Sequence, residues 1–341
     1  MGRLYQSAAS GALPCGVIVT PALADANNGN WHTARRWQQH LAGVHPVRIV
    51  REWPDAAADD DRFMIALHAR RSVPSIAAWH AARGDAGLAL VLTGTDLYRD
   101  IGIDATARRS LDLARVLVVL QEMGITALPE SFRAKARVIF QSCTARQSLA
   151  KPQGRLRCVM VGHLRDEKSP QTLFAAAGLL ARRDDVFIDH IGAALDPAFA
   201  PAAQATMRAN PRYRWLGALP REDASRRIQR AQLLLHCSRM EGGAHVLMEA
   251  MTSGTPVLAS RIDGNVGMLG TDYAGCFEWN DASALASLIA RCEDERAAPD
   301  GGLLARLANQ CARRAPLFAP AHERAAVRTL ATDLLQSSPH P

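Results

Sequence analysis

The sequence predicts an α/β protein in two halves, each a parallel sheet flanked by helices, and three observations predict it. Short apolar runs alternate with longer helix-forming stretches along the chain, as strand–helix–strand units require. Hydrophobic residues make up 48% but aromatic ones only 5%, with Ala and Leu abundant, which suits helices packed on sheets better than a β-sandwich. At 341 residues the chain is long enough for two ordinary domains, each burying its own core.

The elements follow in order. CGVIVTPA (15–22), LALVLTGTD (88–96), RVLVVL (115–120) and RVIFQS (137–142) read as strands of a first sheet. WHTARRWQQHLAG (31–43) and RFMIALHARRSVPSIAAWHAARG (62–84) read as helices between them. KPQGR (151–155) combines Pro, Gly and charge as a hinge does. The second half opens at RCVMVG (157–162) and continues through VFIDHIG, YRWLGAL, QLLLHCS, PVLAS and GCFEW, and beyond Asn280 only helices are predicted.

Charge and cysteine content exclude several classes. A formal net charge of +7 with pI near 9.3 could serve nucleic acid, but the arginines are dispersed through helices and no basic stretch is interleaved with aromatics. They read as solvated helix faces, some of which can draw anionic substrates. No apolar run reaches the length of a membrane helix, and the apolar stretch near the start is short for a secretory signal, so a cytoplasmic protein without membrane or nucleic-acid partners is expected. The seven cysteines are scattered, odd in number and without metal-ligand spacing, which makes them small core residues.

The stretch with most chemistry is SRMEGGAHVLMEAMTSGTPVLAS, residues 238–260. It lies between two buried strands, and Val246, Leu247, Ala250 and Met251 recur at helical spacing before a Gly254 stop and Pro256. Gly242 and Gly243 let the unpaired N–H groups of that helix approach an anion such as phosphate. Glu241 and Glu249 have the wrong sign for phosphate and suit the hydroxyls of a nucleotide sugar. Taken alone, both are better explained as solvated glutamates.

Glu241, Gly242, Ala244, Val246, Leu247, Glu249 and Ala250, followed by Gly254, Pro256 and Val257, resemble the nucleotide-sugar motif of the large retaining glycosyltransferase family 4. VMVGHLRDEKSPQTLFAAAGLL resembles the same family's strand, Gly162, basic loop and helix, with Lys168 at the position of the lysine that holds the donor diphosphate. His163 stands where that family has an arginine, so either Arg165 takes over the charge or the diphosphate is held differently. The resemblance implies a GT-B fold: two Rossmann-like domains facing across a cleft, residues 1–152 for the acceptor and 153–320 for the donor, with 321–341 crossing back to the first domain. It implies donor contacts from Gly162, His163, Arg165, Lys168, Gly242, Gly243, Ala244, His245, Val246 and Glu249, with Glu241 and Lys168 catalytic. It also implies no cofactor and no metal; DDD at 59–61 reads as a solvent-facing loop.

The first-half loops narrow the resemblance. The family usually has a glycine pair after the first strand, whereas this chain has NNGNWHTA, and with IALHARRS (65–72) and LTGTDLYRDI (92–101) it resembles the selenosugar synthases of selenoneine biosynthesis. That resemblance implies transfer of a sugar from a UDP-sugar to selenophosphate. Selenophosphate is already anionic, so it needs cations and amides more than a general base. Asn28, Gly29, Asn30, Arg70, Arg71, Thr93, Thr95 and Asp96 are the candidate acceptor groups, with His68 catalytic. Arg70 and Arg71 equally suit a charged surface, His68 a satisfied core position, and Thr93, Thr95 and Asp96 a helix cap. A family 4 enzyme with a hydroxyl acceptor, a non-catalytic nucleotide-sugar-binding protein and a nucleotide-sugar epimerase stay open as alternatives.

Overall fold

A computed structural model describes residues 13–23 and 29–336. It contains two parallel six-stranded sheets. The first comprises β1 (Cys15–Val19), β2 (Val47–Val50), β3 (Asp61–Leu67), β4 (Leu88–Val91), β5 (Val116–Val119) and β6 (Ala136–Val138), in spatial order β2-β1-β3-β4-β5-β6. The second comprises β7 (Leu156–Val161), β8 (Val186–Ile191), β9 (Tyr213–Trp215), β10 (Leu233–His236), β11 (Val257–Ser260) and β12 (Cys276–Phe277), in order β12-β11-β10-β7-β8-β9. The central strands are mainly apolar, as strands covered on both faces require; β4, β5, β10 and β11 are buried throughout.

Contact density divides the chain into two units. The first takes the described residues of Met1–Val91, Asp104–Leu117 and Ala326–Pro341; the second takes Leu92–Ile103 and Val118–Ala325. Within the first, Trp37, Trp79, Phe63 and Met64 are fully enclosed, and Arg328 of the last helix donates to the His40 carbonyl at 2.9 Å. Within the second, Tyr213, Phe318 and the leucines of β10 fill the core. Ser142 is tied to the buried Glu323 carboxylate through both its N–H and its hydroxyl.

Three expectations need correction. Residues 62–84 are not one helix: Asp61–Leu67 is β3, in the middle of the sheet with Met64 opposite Leu88, and the helix begins only at Val73. Periodicity cannot separate a strand buried on both faces from a buried helix, and FMIAL is such a run. β2, a half-buried VRIV strand at the sheet edge, went unpredicted. Asp61 does not face solvent. It is fully buried, accepts from Trp53 Nε1 at 3.0 Å and pairs with Arg48, while Asp59 and Asp60 are exposed.

Candidate functional site

In each sheet the strand order reverses once, and ligands of α/β sheets bind beyond the carboxyl ends of the strands at such a point. In the second sheet the reversal lies between β7 and β10, which run side by side with Leu233 opposite Cys158. The loops leaving these two strands are Gly162–Ser169 and Cys237–Ala244, so the two stretches singled out in the sequence emerge together.

Their side chains meet. Lys168 Nζ donates to Glu241 Oε1 at 2.5 Å, and both side chains are mostly buried. His236, at the end of β10 and almost fully enclosed, has Nε2 3.5 Å from the same carboxylate oxygen, too far for a close hydrogen bond, and that nitrogen has no other partner. Burial opposes the charge of Glu241, but Lys168 and His236 together outweigh it and hold the carboxyl well below the usual carboxylate range. Burial also holds His236 below its ordinary range, against the pull of Glu241. The result is an ionised carboxylate clamped by an ammonium over a neutral imidazole. The backbones are joined as well: Arg239 N–H donates to the Glu167 carbonyl at 3.0 Å, and the Arg239 guanidinium pairs with Asp166.

Glycine is required where the loops press together. A Cβ on Gly242 would lie 2.3 Å from the Thr93 carbonyl oxygen, and one on Gly264 would lie 2.0 Å from that of Glu241. The helix His245–Thr252 then begins at Ala244 without any side-chain cap; Ala244 N–H donates to Met268 Sδ at 3.1 Å and Leu247 N–H to the Ala244 carbonyl at 3.0 Å, which leaves the His245 and Val246 amides to other acceptors. It ends as its sequence predicts: Gly254 has φ +70° and Thr255 N–H returns to the Ala250 carbonyl at 2.9 Å. One turn along that helix, Glu249 lies 3.1 Å from His245 Nδ1, accepts from Ser225 Oγ at 3.3 Å and lies 3.5 Å from Arg221. Burial disfavours its charge, yet the His245 contact and the Arg221 charge lower its pKa from the ordinary value.

Other predicted residues of this unit occupy the same loops. Gly162 lies under the Lys168 stem, at the distance of ordinary contact for an added Cβ. His163 accepts from Ala193 N–H at 3.0 Å, and partial burial followed by the Arg165 and Lys168 charges lowers its pKa. Arg165 is exposed, 3.8 Å from Glu167. Asp96 is buried, and its Oδ1 accepts from the N–H groups of Thr93 and Gly94, both at 2.9 Å, so this oxygen shapes the loop; Thr95 precedes a π-helical turn over Asp96–Asp100. Val246 is half-buried on the helix after Ala244.

In the first sheet the reversal lies between β1 and β3, which pair in parallel. Asn28 lies outside the described residues; Gly29 and Asn30 form the first turn of the helix Gly29–Leu41 that follows β1. His68 directly follows β3. It is buried, with φ +77°, and its Nδ1 lies 3.4 Å from Arg71 N–H. A non-glycine residue in this conformation costs about 1–2 kcal/mol, and such cost concentrates at functional loops. Arg70 and Arg71 are exposed on the turn that His68 begins, Arg70 lying 4.0 Å from Asp104.

Sequence reasoning missed two residues of the second site. His236 ends an apolar strand and looked like filler. His190, on β8, places its Nε2 3.1 Å from the Gly162 carbonyl and its Nδ1 3.0 Å from the Tyr213 hydroxyl. A carbonyl only accepts, so Nε2 carries the proton and Tyr213 donates to Nδ1. Burial pushes His190 down to about 4, which keeps it neutral. The only available signal was a polar residue inside the apolar run VFIDHIG. Among the described residues no three His, Cys, Asp or Glu gather to hold a metal, and no helix is long and apolar enough to cross a membrane.

Comparison with known proteins places this geometry. A model of the family "Glycosyl transferases group 1" matches residues 142–315, which hold both loops of the second site. The D-inositol 3-phosphate glycosyltransferase of Salinispora arenicola (strain CNS-205) is 26% identical over 226 residues, 63% of this chain and 49% of the relative. The chain thus spans about half the length of that curated relative. Among solved structures, sucrose-phosphate synthase from Thermosynechococcus elongatus superposes with a TM-score of 0.72 at 16% identity, over 96% of this chain and 100% of that one. Anabaena HepE in complex with UDP and glucose superposes at 0.62 and 16% identity, over 87% of this chain and 89% of that one. At these identities the likeness is one of fold, the GT-B architecture of two parallel sheets.

Proposed function

The chain belongs to the group 1 glycosyl transferases, and we propose that it transfers a sugar from a UDP-sugar to selenophosphate, as the selenosugar synthases it resembles do. The observation that carries the donor half is the meeting of Lys168, Glu241 and the uncapped helix start at the β7/β10 reversal. Lys168 and Arg165 with the first amides of the helix His245–Thr252 hold the diphosphate, where cation and helix terminus both favour negative charge. Gly162, Gly242, Gly243 and Ala244 let it approach the backbone, and His163, His245 and Val246 border it. Glu249 accepts from the ribose hydroxyls. Glu241 is ionised and therefore acts as an acceptor toward the sugar, not as an acid. That HepE was solved with UDP and glucose supports a UDP-linked donor on this fold.

The acceptor half rests on the first-sheet loops, where the sequence departs from ordinary family members. Arg70 and Arg71 offer planar forks to a phosphate group, with Asn28, Gly29 and Asn30 adding amides, and His68, fixed in its left-handed conformation, orients the nucleophile. Thr93, Thr95 and Asp96 border the sugar. The selenium lone pair attacks the anomeric carbon, a carbon–selenium bond forms, and the bond to the diphosphate oxygen breaks with its electron pair leaving on UDP. Water then cleaves phosphorus from selenium to release the selenosugar. Proximity and charge stabilisation of the leaving diphosphate supply the rate, with no proton to remove from the nucleophile.

Strictly anaerobic incubation of the purified chain with selenophosphate and a panel of UDP-sugars, read by mass spectrometry, tests the proposal. A selenium-bearing sugar formed with equimolar UDP is the predicted result. Consumption of a UDP-sugar with a hydroxyl acceptor and no selenium product would assign an ordinary glycosyltransferase instead. Glu241→Gln is predicted to spare UDP affinity and lower turnover.

A further inference from the structure

A polar cavity opens on one face of the second sheet. It has a volume of about 300 Å³ and is lined by Arg157, Asp189, Arg214, Arg227 and Arg230, with Cys158, Val159 and Ala231 forming its floor. Its position follows from the strands. Arg157 is the second residue of β7, and Ala231 lies just before β10 begins, whereas Gly162 and Glu241 lie beyond the carboxyl ends of the same strands. At about 3.3 Å per residue, Arg157 is about 17 Å from Gly162 along β7, so this is not the nucleotide site.

One face of the sheet supplies the charges. Val159 is opposite Asp189 and Asp189 is opposite Arg214, so these side chains share a face, and Arg157, two residues before Val159, joins them. Arg227 and Arg230 reach the same space from the last turn of the helix Arg221–Arg230. The alternate face, with Ile188, His190 and Tyr213, belongs to the core.

The balance of charge points to a ligand. Asp189 is only 6% exposed, and its two oxygens take three donors: Nε and Nη2 of Arg214 at 2.9 and 2.6 Å, and Nη1 of Arg227 at 2.8 Å. That carboxylate holds Arg214 and Arg227 in fixed orientation, and its charge is shared between the two. Among the described residues neither Arg157 nor Arg230 has a carboxylate within ion-pair distance, and the enclosed Arg157 Nε has no hydrogen-bond partner at all. Four guanidiniums against one carboxylate leave a surplus of three positive charges around one cavity. Packing alone favours apolar residues on a sheet face, and an unsatisfied guanidinium N–H there costs stability. A tetrahedral oxyanion satisfies both, since planar forks bind phosphate oxygens in pairs.

We infer that this cavity binds the dianionic phosphate group of a small phosphorylated molecule, at a site separate from that for the nucleotide sugar. The volume exceeds that of a bare phosphate ion and leaves room for a small ester group.

Calorimetric titration of the full chain with inorganic phosphate and with glycerol phosphate tests this. Saturable binding of both is predicted, in wild type and equally in Arg70→Ala/Arg71→Ala, which removes the other proposed phosphate-binding arginines. Arg157→Gln/Arg230→Gln is predicted to weaken it at least about tenfold, the loss of charged hydrogen bonds. Circular dichroism checks that this variant folds; if it does not, Arg230→Gln alone, at an exposed position, carries the comparison. Tighter binding of the ester than of phosphate supports a phosphorylated small molecule. Absence of saturable binding, or binding lost in Arg70→Ala/Arg71→Ala or untouched by the Arg157 and Arg230 changes, would overturn the inference.

Discussion

The two strand-order reversals hold their charges in opposite ways. At β7/β10 the ammonium of Lys168 is already matched to Glu241, Arg239 is matched to Asp166, and glycines pack the loops so closely that a methyl group does not fit. At β1/β3 the guanidiniums of Arg70 and Arg71 stand exposed on a short turn, and the constraint is on the backbone, at His68 with φ +77°. A ligand entering the first site must share charges that are already paired; one entering the second meets guanidiniums exposed to solvent. The first kind is a rigid, built site. In the proposed reaction the second is the acceptor side, a set of loops whose side chains can change while the donor site does not.

The largest contrast should appear in stability. Lys168→Met leaves Glu241 as an uncompensated charge in a mostly buried position, which should cost roughly 3 kcal/mol, and adding Glu241→Gln should recover much of it. Arg70→Ala, an exposed residue with a long ion pair, should cost no more than about 0.5 kcal/mol. Chemical denaturation of these variants checks both, and equal costs at the two sites would remove the distinction.

Acid should act on the second unit through His190. Its pKa falls from 6.5 to about 4 on folding, so the unfolded chain binds the proton first. Stability is full above pH 6.5 and is lost as pH falls toward 4, by about 2 kcal/mol at pH 5 relative to pH 8. His236, lowered by burial, adds in the same direction, and Glu241, also lowered, adds a further loss only below its ordinary 4.5. Denaturation midpoints across this range, with His190→Gln flattening the profile, provide the check; an unchanged slope in that variant would exclude His190 as the source.

A smaller effect should mark His68. Glycine adopts φ +77° freely and alanine does not, so His68→Gly should be more stable than His68→Ala by about 1 kcal/mol, although both remove the ring. Equal stability would mean that the loop relaxes when the imidazole is gone. Both variants should lose acceptor turnover alike.

How much of this was legible in the sequence depended on whether the signal was local. The strand, glycine loop, helix and Gly254–Pro256 stop around Glu241 could be read because each is set by residues a few positions apart. β3 could not, since FMIAL gives the same apolar run in a buried strand as in a buried helix, and Asp61 appeared solvated because its partner Arg48 lies on another strand. His190 acts on a residue distant in sequence, Gly162, which only the β7/β8 adjacency brings near, and His236 gained its meaning only once the loop after β10 folded Glu241 back over it. The arginine cavity stayed hidden for the same reason: Arg157, Asp189, Arg214 and Arg230 come from four elements and read singly as surface charge.

The central claim is that the β7/β10 reversal is a nucleotide-sugar site gripped by Glu249 as well as by Lys168. Calorimetric titration of UDP into wild type, Glu249→Ala and Arg70→Ala/Arg71→Ala tests it most directly. The account predicts that UDP binds wild type and the arginine variant equally and binds Glu249→Ala about tenfold more weakly, as the loss of charged hydrogen bonds requires. Unchanged UDP affinity in Glu249→Ala, or a loss in the arginine variant instead, would contradict it.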